Sequence, residues 1–286
     1  MSGATLRDAV GRARQRLLGV GFDEAHARID AEVLALHLLG WDRTALITRP
    51  DEAVSDAFLE AYDRLITRRS LNEPVAYIVG SREFYGRPFR VSPAVLIPRP
   101  ETELAVDAVL AALPADAFVR VVDVGTGSGA IAVTLAAERP AWHVEAVDVS
   151  GDALRVAQRN AEALGVRERV TFLQGDLLAP TMGLFDAIVS NPPYVPLRDA
   201  AGVHPTVRDH EPHVALFGGD DGMEIPRRLM AEAAPRLRPG GLFVMEFGYG
   251  QEDVVCAAAT DAGLQVVDIK HDLQGIARTL VASRAI

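Results

Sequence analysis

The chain has 286 residues, 49% of them hydrophobic and 24% charged, with a formal net charge of −10, enough to bury a substantial core in one large or two modest domains. The acidic balance argues against a broad basic surface tracking phosphates, and no apolar run approaches the roughly 20 residues needed to span a bilayer. Met1-Ser2-Gly3-Ala4-Thr5-Leu6-Arg7-Asp8 carries no basic segment leading into an apolar one, so a cytoplasmic protein with no membrane partner is expected.

The first stretch reads as helices. Leu6, Val10, Ala13 and Leu17 recur at steps of three and four, as do Ala25, Ile29, Val33 and Leu36, giving each segment one apolar face, with Gly21 and Gly40 as punctuation. A third helix is predicted from Ser55, as N-cap, through Phe58, Tyr62 and Ile66 to Arg69. Residues 1–73 therefore form a small helical domain. Arg12, Arg14 and Arg16 make a local basic patch on it, either an ordinary solvated face or a partner contact. From Pro74 to Pro100 the runs Val75–Val79, Phe84-Tyr85-Gly86 and Phe89-Arg90-Val91 sit between glycines and prolines, predicting a hairpin linker over 74–100.

Residues 101–286 alternate strand and helix. A helix through Leu104 and Ala108 precedes a strand at Val119–Val124; strands follow at His143–Asp148, Val170–Leu173, Phe185–Ser190 and Leu242–Phe247, with helices after Gly129 and over Asp152–Leu164. This is the rhythm of a mostly parallel, doubly wound α/β sheet. Leu264–Lys270 and Ala277–Ala282 flank a turn near Gly275 with no helix between, predicting a closing antiparallel hairpin. Cys256 lies in a helix-like segment and is expected to be a small core residue. His204, His210 and His213 cluster in a loop without a cysteine or a close carboxylate pair, so no metal site is expected.

The chemistry gathers at strand ends. Gly125-Thr126-Gly127-Ser128-Gly129 joins a strand to a helix, where glycine lets backbone approach a ligand, and Asp148, at the next strand end, suits a ribose diol. A nicotinamide or flavin nucleotide would accept the same pair, since Gly125, Gly127 and Ala130 satisfy the looser dinucleotide pattern. Later strand ends separate the cofactors. Asp176 and Leu177 stand where an adenine would be hydrogen-bonded and flanked, and Asn191-Pro192-Pro193-Tyr194 follows the next strand. An Asn-Pro-Pro-Tyr loop suits methylation of a planar nitrogen: the Asn191 oxygen and a backbone carbonyl beside the prolines accept its N–H bonds, the prolines stiffen the loop, and Tyr194 offers a flat wall. Together these ends fit S-adenosylmethionine, with Asn191 beside both donor and acceptor. Hydride transfer gives no reason for that loop.

Phe84-Tyr85-Gly86, Leu96-Ile97-Pro98-Arg99-Pro100-Glu101-Thr102-Glu103, Asp123–Gly129, Asp148, Ser190–Tyr194, His210-Glu211-Pro212 and Gly218-Gly219-Asp220-Asp221-Gly222 together identify the chain as similar, over nearly its whole length, to the release-factor glutamine N5-methyltransferases (the HemK/PrmC family). The resemblance implies a helical N-terminal domain that grips the substrate, a hairpin, and a seven-stranded methyltransferase domain. It also implies the substrate: the glutamine of the Gly-Gly-Gln motif in class 1 peptide chain release factors. A sister family acting on a ribosomal-protein glutamine shares the Asn-Pro-Pro-Tyr loop, but the Pro98–Glu103 segment looks like the release-factor branch. Some relatives carry an aromatic residue where this chain has Leu96 or Leu177, so aliphatic walls are expected.

On that basis Asn191 and the Pro192 carbonyl clamp the glutamine amide, Pro193 stiffens the loop, and Tyr194 and Leu96 sandwich the amide plane. Arg99 and Glu101 serve either as lid residues or as a helix cap and its salt bridge. A nucleobase exocyclic-amine methyltransferase is the rival enzyme, disfavoured by the acidic charge and the absence of a basic, aromatic-interleaved segment; no direct nucleic-acid partner is expected, and monomer is the default. A non-catalytic cofactor-binding module would be expected to lose Asn191 or Tyr194, and both are present.

Overall fold

The computed structural model describes residues 4–285, which divide into two compact units: one running up to Gly80 and including Pro205–His210, the other comprising Ser81–His204 and Glu211 onward. The first unit contains α1 (Leu6–Gly19), α2 (Glu24–Leu39), α3 (Arg43–Thr48), α4 (Asp56–Ser70) and α5 (Val75–Val79). Polar caps start the principal helices. Thr5 and Asp8 form a reciprocal capping box on α1, while Asp23, Asp42 and Ser55 each accept a backbone N–H of the first turn. Leu6, Leu17, Leu34, Tyr62 and Ile66 fill the core.

Two expectations are corrected in this unit. The buried face of α2 is not Ala25-Ile29-Val33-Leu36; it is Ala27, Asp30, Ala31, Leu34 and Ala35, with Ile29 45% and Val33 37% exposed. Asp30 disguises that face as polar, yet it is buried because the Arg69 guanidinium meets it at 2.7 Å and lies 4.1 Å above the Phe22 ring. Small alanines let α2 pack closely on its neighbours. The run Val75–Val79 is helical rather than extended: it begins after Pro74, ends at left-handed Gly80, and buries Tyr77 and Ile78. An apolar run of five is too short for periodicity to distinguish strand from helix. Of the basic patch, Arg14 pairs with Glu24 and Arg16 with Asp63.

In the second unit, β1 (Ser81–Phe84) and β2 (Arg87–Arg90) form an antiparallel hairpin around Tyr85-Gly86, both at positive φ. The remaining elements are α6 (Glu103–Ala112), β3 (Arg120–Val124), α7 (Ala130–Glu138), β4 (His143–Asp148), α8 (Gly151–Ala163), β5 (Val170–Gln174), β6 (Phe185–Ser190), α9 (Pro205–Arg208, within the segment belonging to the first unit), α10 (Glu224–Arg236), β7 (Leu237–Glu246), α11 (Glu252–Asp261), β8 (Leu264–His271) and β9 (Ala277–Arg284). The seven-stranded sheet runs β5-β4-β3-β6-β7-β9-β8, with β9 antiparallel to both β7 and β8 and the other pairings parallel. This is the expected doubly wound sheet with a closing antiparallel hairpin. Its central strands are largely apolar, broken by single acids such as Asp123 and Glu145, because both faces are covered: Val121, Val144 and Val189 belong to one core, Val122, Ile188 and Phe243 to the other. Cys256 is half-buried and packs against the second core.

Candidate active site

The order of the sheet reverses between β3 and β6: the chain builds outward from β3 through β4 to β5, then returns to β6 on the other side. Loops at the carboxyl ends of strands flanking such a switch diverge and leave a crevice. Here they line a cavity of about 320 Å³, with Gly125–Ser128 after β3, Asp148 after β4, Asp176 and Leu177 after β5, and Asn191–Pro193 after β6. Leu96, Pro98 and Thr102, from the segment before α6, complete one side.

The glycine loop is held from below and open above. The buried Asp123 carboxylate accepts the Thr126 hydroxyl at 2.6 Å and the Ala132 N–H at 3.1 Å, and burial pushes its pKa up to about 7. Gly127, at φ 55°, donates its N–H to Asp148 at 2.9 Å, and a Cβ there would meet only the Gly125 carbonyl, at 4.0 Å. The loop backbone therefore faces the cavity without side chains in between. Ser150 N–H binds the other Asp148 oxygen at 2.8 Å; burial nevertheless holds this carboxyl above its ordinary range. Leu177, at φ 46°, presents a buried aliphatic wall. An open glycine backbone, an oriented carboxylate for vicinal hydroxyls and an apolar wall fit the nucleoside of S-adenosylmethionine.

One of the residues expected at the cofactor stands off the cavity. Gly129 does not line the cavity; a Cβ there would come within 3.0 Å of the Ala157 Cβ, so this glycine seats α7 against α8. Asp176 is exposed at the rim and ion-paired to Arg228 at 2.5 Å.

Beyond β6, Asn191 Nδ2 donates to the Thr102 hydroxyl at 3.0 Å, and Thr102 donates to Glu246 Oε2 at 2.5 Å. The Tyr194 hydroxyl donates to Glu246 Oε1 at 3.1 Å. Glu246 ends β7 and is 2% exposed; burial pushes its carboxyl up to about 6 against the opposing pull of those two hydrogen bonds. Burial, and then the nearby Glu246 charge, raise the Tyr194 phenol. Leu96 lines the cavity with Asn191, whereas Tyr194, whose hydroxyl supplies a donor to the desolvated Glu246 carboxylate, lines a second one with Tyr249 and Gln251.

Arg99 also stands off the cavity, paired to Glu211 at 2.5 Å, while the other Glu211 oxygen accepts the Ile97 N–H at 3.0 Å. No side-chain cap is made at Arg99. The Gly218–Gly222 segment buttresses the Asn-Pro-Pro-Tyr loop: the Val195 N–H donates to the Leu216 carbonyl, the Gly218 N–H donates to the Val195 carbonyl, and a Cβ on Gly222 would fall 2.2 Å from the Tyr194 carbonyl. Sequence reasoning missed Thr102, Glu211 and Glu246 as parts of the site. Thr102 and Glu211 stand within the segments that carry the family resemblance, with no role read for either, and Glu246 left a trace as an acid closing an otherwise apolar strand. Among the described residues no His/Cys/Asp/Glu group is arranged to hold a metal, and no helix is long and apolar enough to cross a membrane.

Comparison with known proteins agrees with this geometry. Residues 8–80 match the family model described as PrmC N-terminal domain, and residues 99–206 match that of the methyltransferase small domain. A protein named release factor glutamine methyltransferase from Koribacter versatilis is 45% identical over 98% of this chain and 99% of its own. One of the same name from Moorella thermoacetica is 45% identical over 91% of each. Among solved structures, a methyltransferase from Pyrococcus furiosus superposes with a TM-score of 0.54 at 20% identity, covering 77% of this chain and 98% of its own, which is a likeness of fold.

Proposed function

The chain belongs to the release factor glutamine methyltransferase family and is an S-adenosylmethionine-dependent protein-glutamine methyltransferase, and on that premise we propose that it methylates N5 of the glutamine in the Gly-Gly-Gln motif of class 1 release factors, with Asn191 and Pro192 as the amide clamp. The observation that carries this reading is that Asn191 and the Gly125–Asp148 cradle line one cavity. When bound, S-adenosylmethionine supplies an electrophilic methyl on a sulfonium that departs as a thioether. Gly125, Thr126, Gly127 and Ser128 would hold it through backbone, Asp148 through its ribose and Leu177 along its adenine.

Asn191 Oδ1 and the Pro192 carbonyl accept the two N–H bonds of the glutamine amide. They fix its plane, aim the nitrogen lone pair along the line of transfer, and stabilise positive charge as it develops there. The rigid Pro192-Pro193 backbone keeps both acceptors in place. No base residue is needed beforehand, because methyl transfer leaves the amide nitrogen cationic, and that cation is acidic enough to lose its proton to water and give the neutral N-methylamide. Leu96 and Pro98 wall the amide from solvent; Tyr194 acts from behind the loop. We place the enzyme in the cytoplasm, as a monomer, with the helical unit as the grip on the release factor and no direct contact with nucleic acid.

The test is radiolabelled methyl transfer by wild type and Asn191→Ala, offered a purified release factor, ribosomal proteins and tRNA in parallel. Label on the release-factor glutamine, lost in Asn191→Ala with cofactor affinity kept, supports the reading. Label on another acceptor, or unchanged turnover in the variant, overturns it.

A further inference from the structure

We propose that Glu246 and Thr102 are positioning residues that set the polarity of the Asn191 side chain, so that the cavity offers an incoming nitrogen a carbonyl oxygen and not an NH2 group. The inference rests on the reading of Asn191 as an acceptor for substrate N–H bonds, and it assigns the cause of that orientation. Asparagine is nearly symmetric in shape and opposite in polarity at its two ends. Something must choose between them.

The choice is made two hydrogen bonds away, at Glu246. An ionised carboxylate only accepts, so the single Thr102 hydroxyl proton is spent on Glu246 Oε2 at 2.5 Å. Thr102 Oγ1 is left with lone pairs, and the Asn191 group 3.0 Å from it must be the NH2. The reverse rotamer would set two oxygens face to face. Oδ1 is thereby the amide atom left for a ligand, and a ligand bringing N–H bonds is favoured over one bringing only acceptors. Tyr194, from the same loop, spends its own proton on the other oxygen of the same carboxylate, at 3.1 Å, so a single buried charge is keyed to both polar side chains of the Asn-Pro-Pro-Tyr loop.

Protonation of Glu246 removes the constraint. A neutral carboxyl carries a proton of its own to donate, Thr102 is freed to donate toward Asn191, and the amide is no longer held with oxygen toward the cavity. The charged and titratable groups that act on Glu246 are Glu101, which raises its pKa, Arg278, which lowers it, and Tyr194 through its hydrogen bond. Burial outweighs the lowering contributions and sets the group up to about 6. Turnover therefore declines on the acid side as Glu246 takes up a proton.

The experiment measures kcat and KM for methyl transfer to release factor across pH in full-length wild type, Thr102→Val, Thr102→Ser and Glu246→Gln, with S-adenosylhomocysteine affinity measured by calorimetry. Thr102→Val should lose about 10- to 100-fold in kcat, the scale of a misaligned reacting group, with S-adenosylhomocysteine affinity retained and the acid limb abolished. Thr102→Ser should restore most of the rate and the acid limb, and Glu246→Gln should be slow without that limb. If the valine variant does not fold, Thr102→Ala provides the same readings. Wild-type kcat with an unchanged acid limb in Thr102→Val overturns the inference. Asn191→Ala, run alongside, separates the two failures: a normal Thr102→Val with an inactive Asn191→Ala sinks the polarity relay alone, while a normal Asn191→Ala sinks the reading beneath it.

Discussion

The Glu211 carboxylate accepts the Ile97 backbone N–H at 3.0 Å, a bond between positions 114 residues apart. With its other oxygen on Arg99, it ties the segment carrying Leu96 and Pro98 to the chain that follows the Asn-Pro-Pro-Tyr loop. Glu211→Ala should leave a buried N–H and a half-buried guanidinium without partners. We expect a loss of about 2 kcal/mol in unfolding free energy by urea titration, discounted from the larger values of fully buried pairs because Arg99 is partly exposed. Turnover on release factor should fall further than S-adenosylhomocysteine affinity. Equal loss of both would show that the wall before α6 has no special part in holding the acceptor.

Gly222→Ala tests the buttress. The residue sits at φ 77°, and its missing Cβ would occupy a point 2.2 Å from the Tyr194 carbonyl. No rotamer relieves a clash between Cβ and backbone, so the Asn-Pro-Pro-Tyr loop must shift. Methyl transfer should drop by about 100-fold, the cost of roughly an ångström of misplacement, in a chain that still binds S-adenosylhomocysteine. Wild-type turnover would mean that the loop tolerates displacement and that clamp geometry is not limiting.

Asp148→Ala should act on the opposite partner. Its carboxylate orients the Gly127 and Ser150 amides and stands at the strand end suited to a ribose diol. S-adenosylhomocysteine affinity measured by calorimetry should fall by about 10-fold or more, as for a lost charge-assisted hydrogen bond. The KM for release factor should stay nearly constant. An unchanged affinity would remove Asp148 from the cofactor site.

Stability should carry the signature of Glu246. Its pKa rises from the ordinary 4.5 to about 6 in the folded chain, so between these values the folded state holds a proton that the unfolded state has released. Unfolding free energy from this group is then greatest below pH 4.5 and is lost as pH rises through about 6. Glu246→Gln should delete that slope. Urea midpoints of both chains, taken from about pH 4 to pH 8, should differ by an amount that moves in favour of the variant across the window and then levels; Asp123 titrates in both and cancels. A pH-independent difference would show that Glu246 is not shifted.

Strand and helix in the second unit were legible because its central strands are largely apolar on both faces, and glycine or Asn-Pro-Pro-Tyr punctuation marks their ends. The cradle from Gly125 to Asp148 was legible for the same reason: its contacts are local or join adjacent strands. Residues acting across the fold were not. Thr102 and Glu246 lie 144 positions apart and Arg99 and Glu211 112 apart, and no spacing rule links them. For Tyr194 the sequence suggested a flat wall but not the bond of its hydroxyl to Glu246, 52 positions away. On α2, Asp30 broke the apolar pattern while satisfying its charge on Arg69, which shifted the apparent face.

The inclusion of Pro205–His210 in the unit that otherwise ends at Gly80 makes that unit discontinuous in sequence. The polypeptide therefore passes between the units at three points, not one. A truncated chain beginning at Ser81 would still carry Pro205–His210, stripped of the helices it packs with, on the stretch that joins the Asn-Pro-Pro-Tyr loop to Glu211. Loss of activity in such a truncation would not by itself measure recognition of the release factor, because the same cut also removes the packing partners of a segment downstream of Asn191.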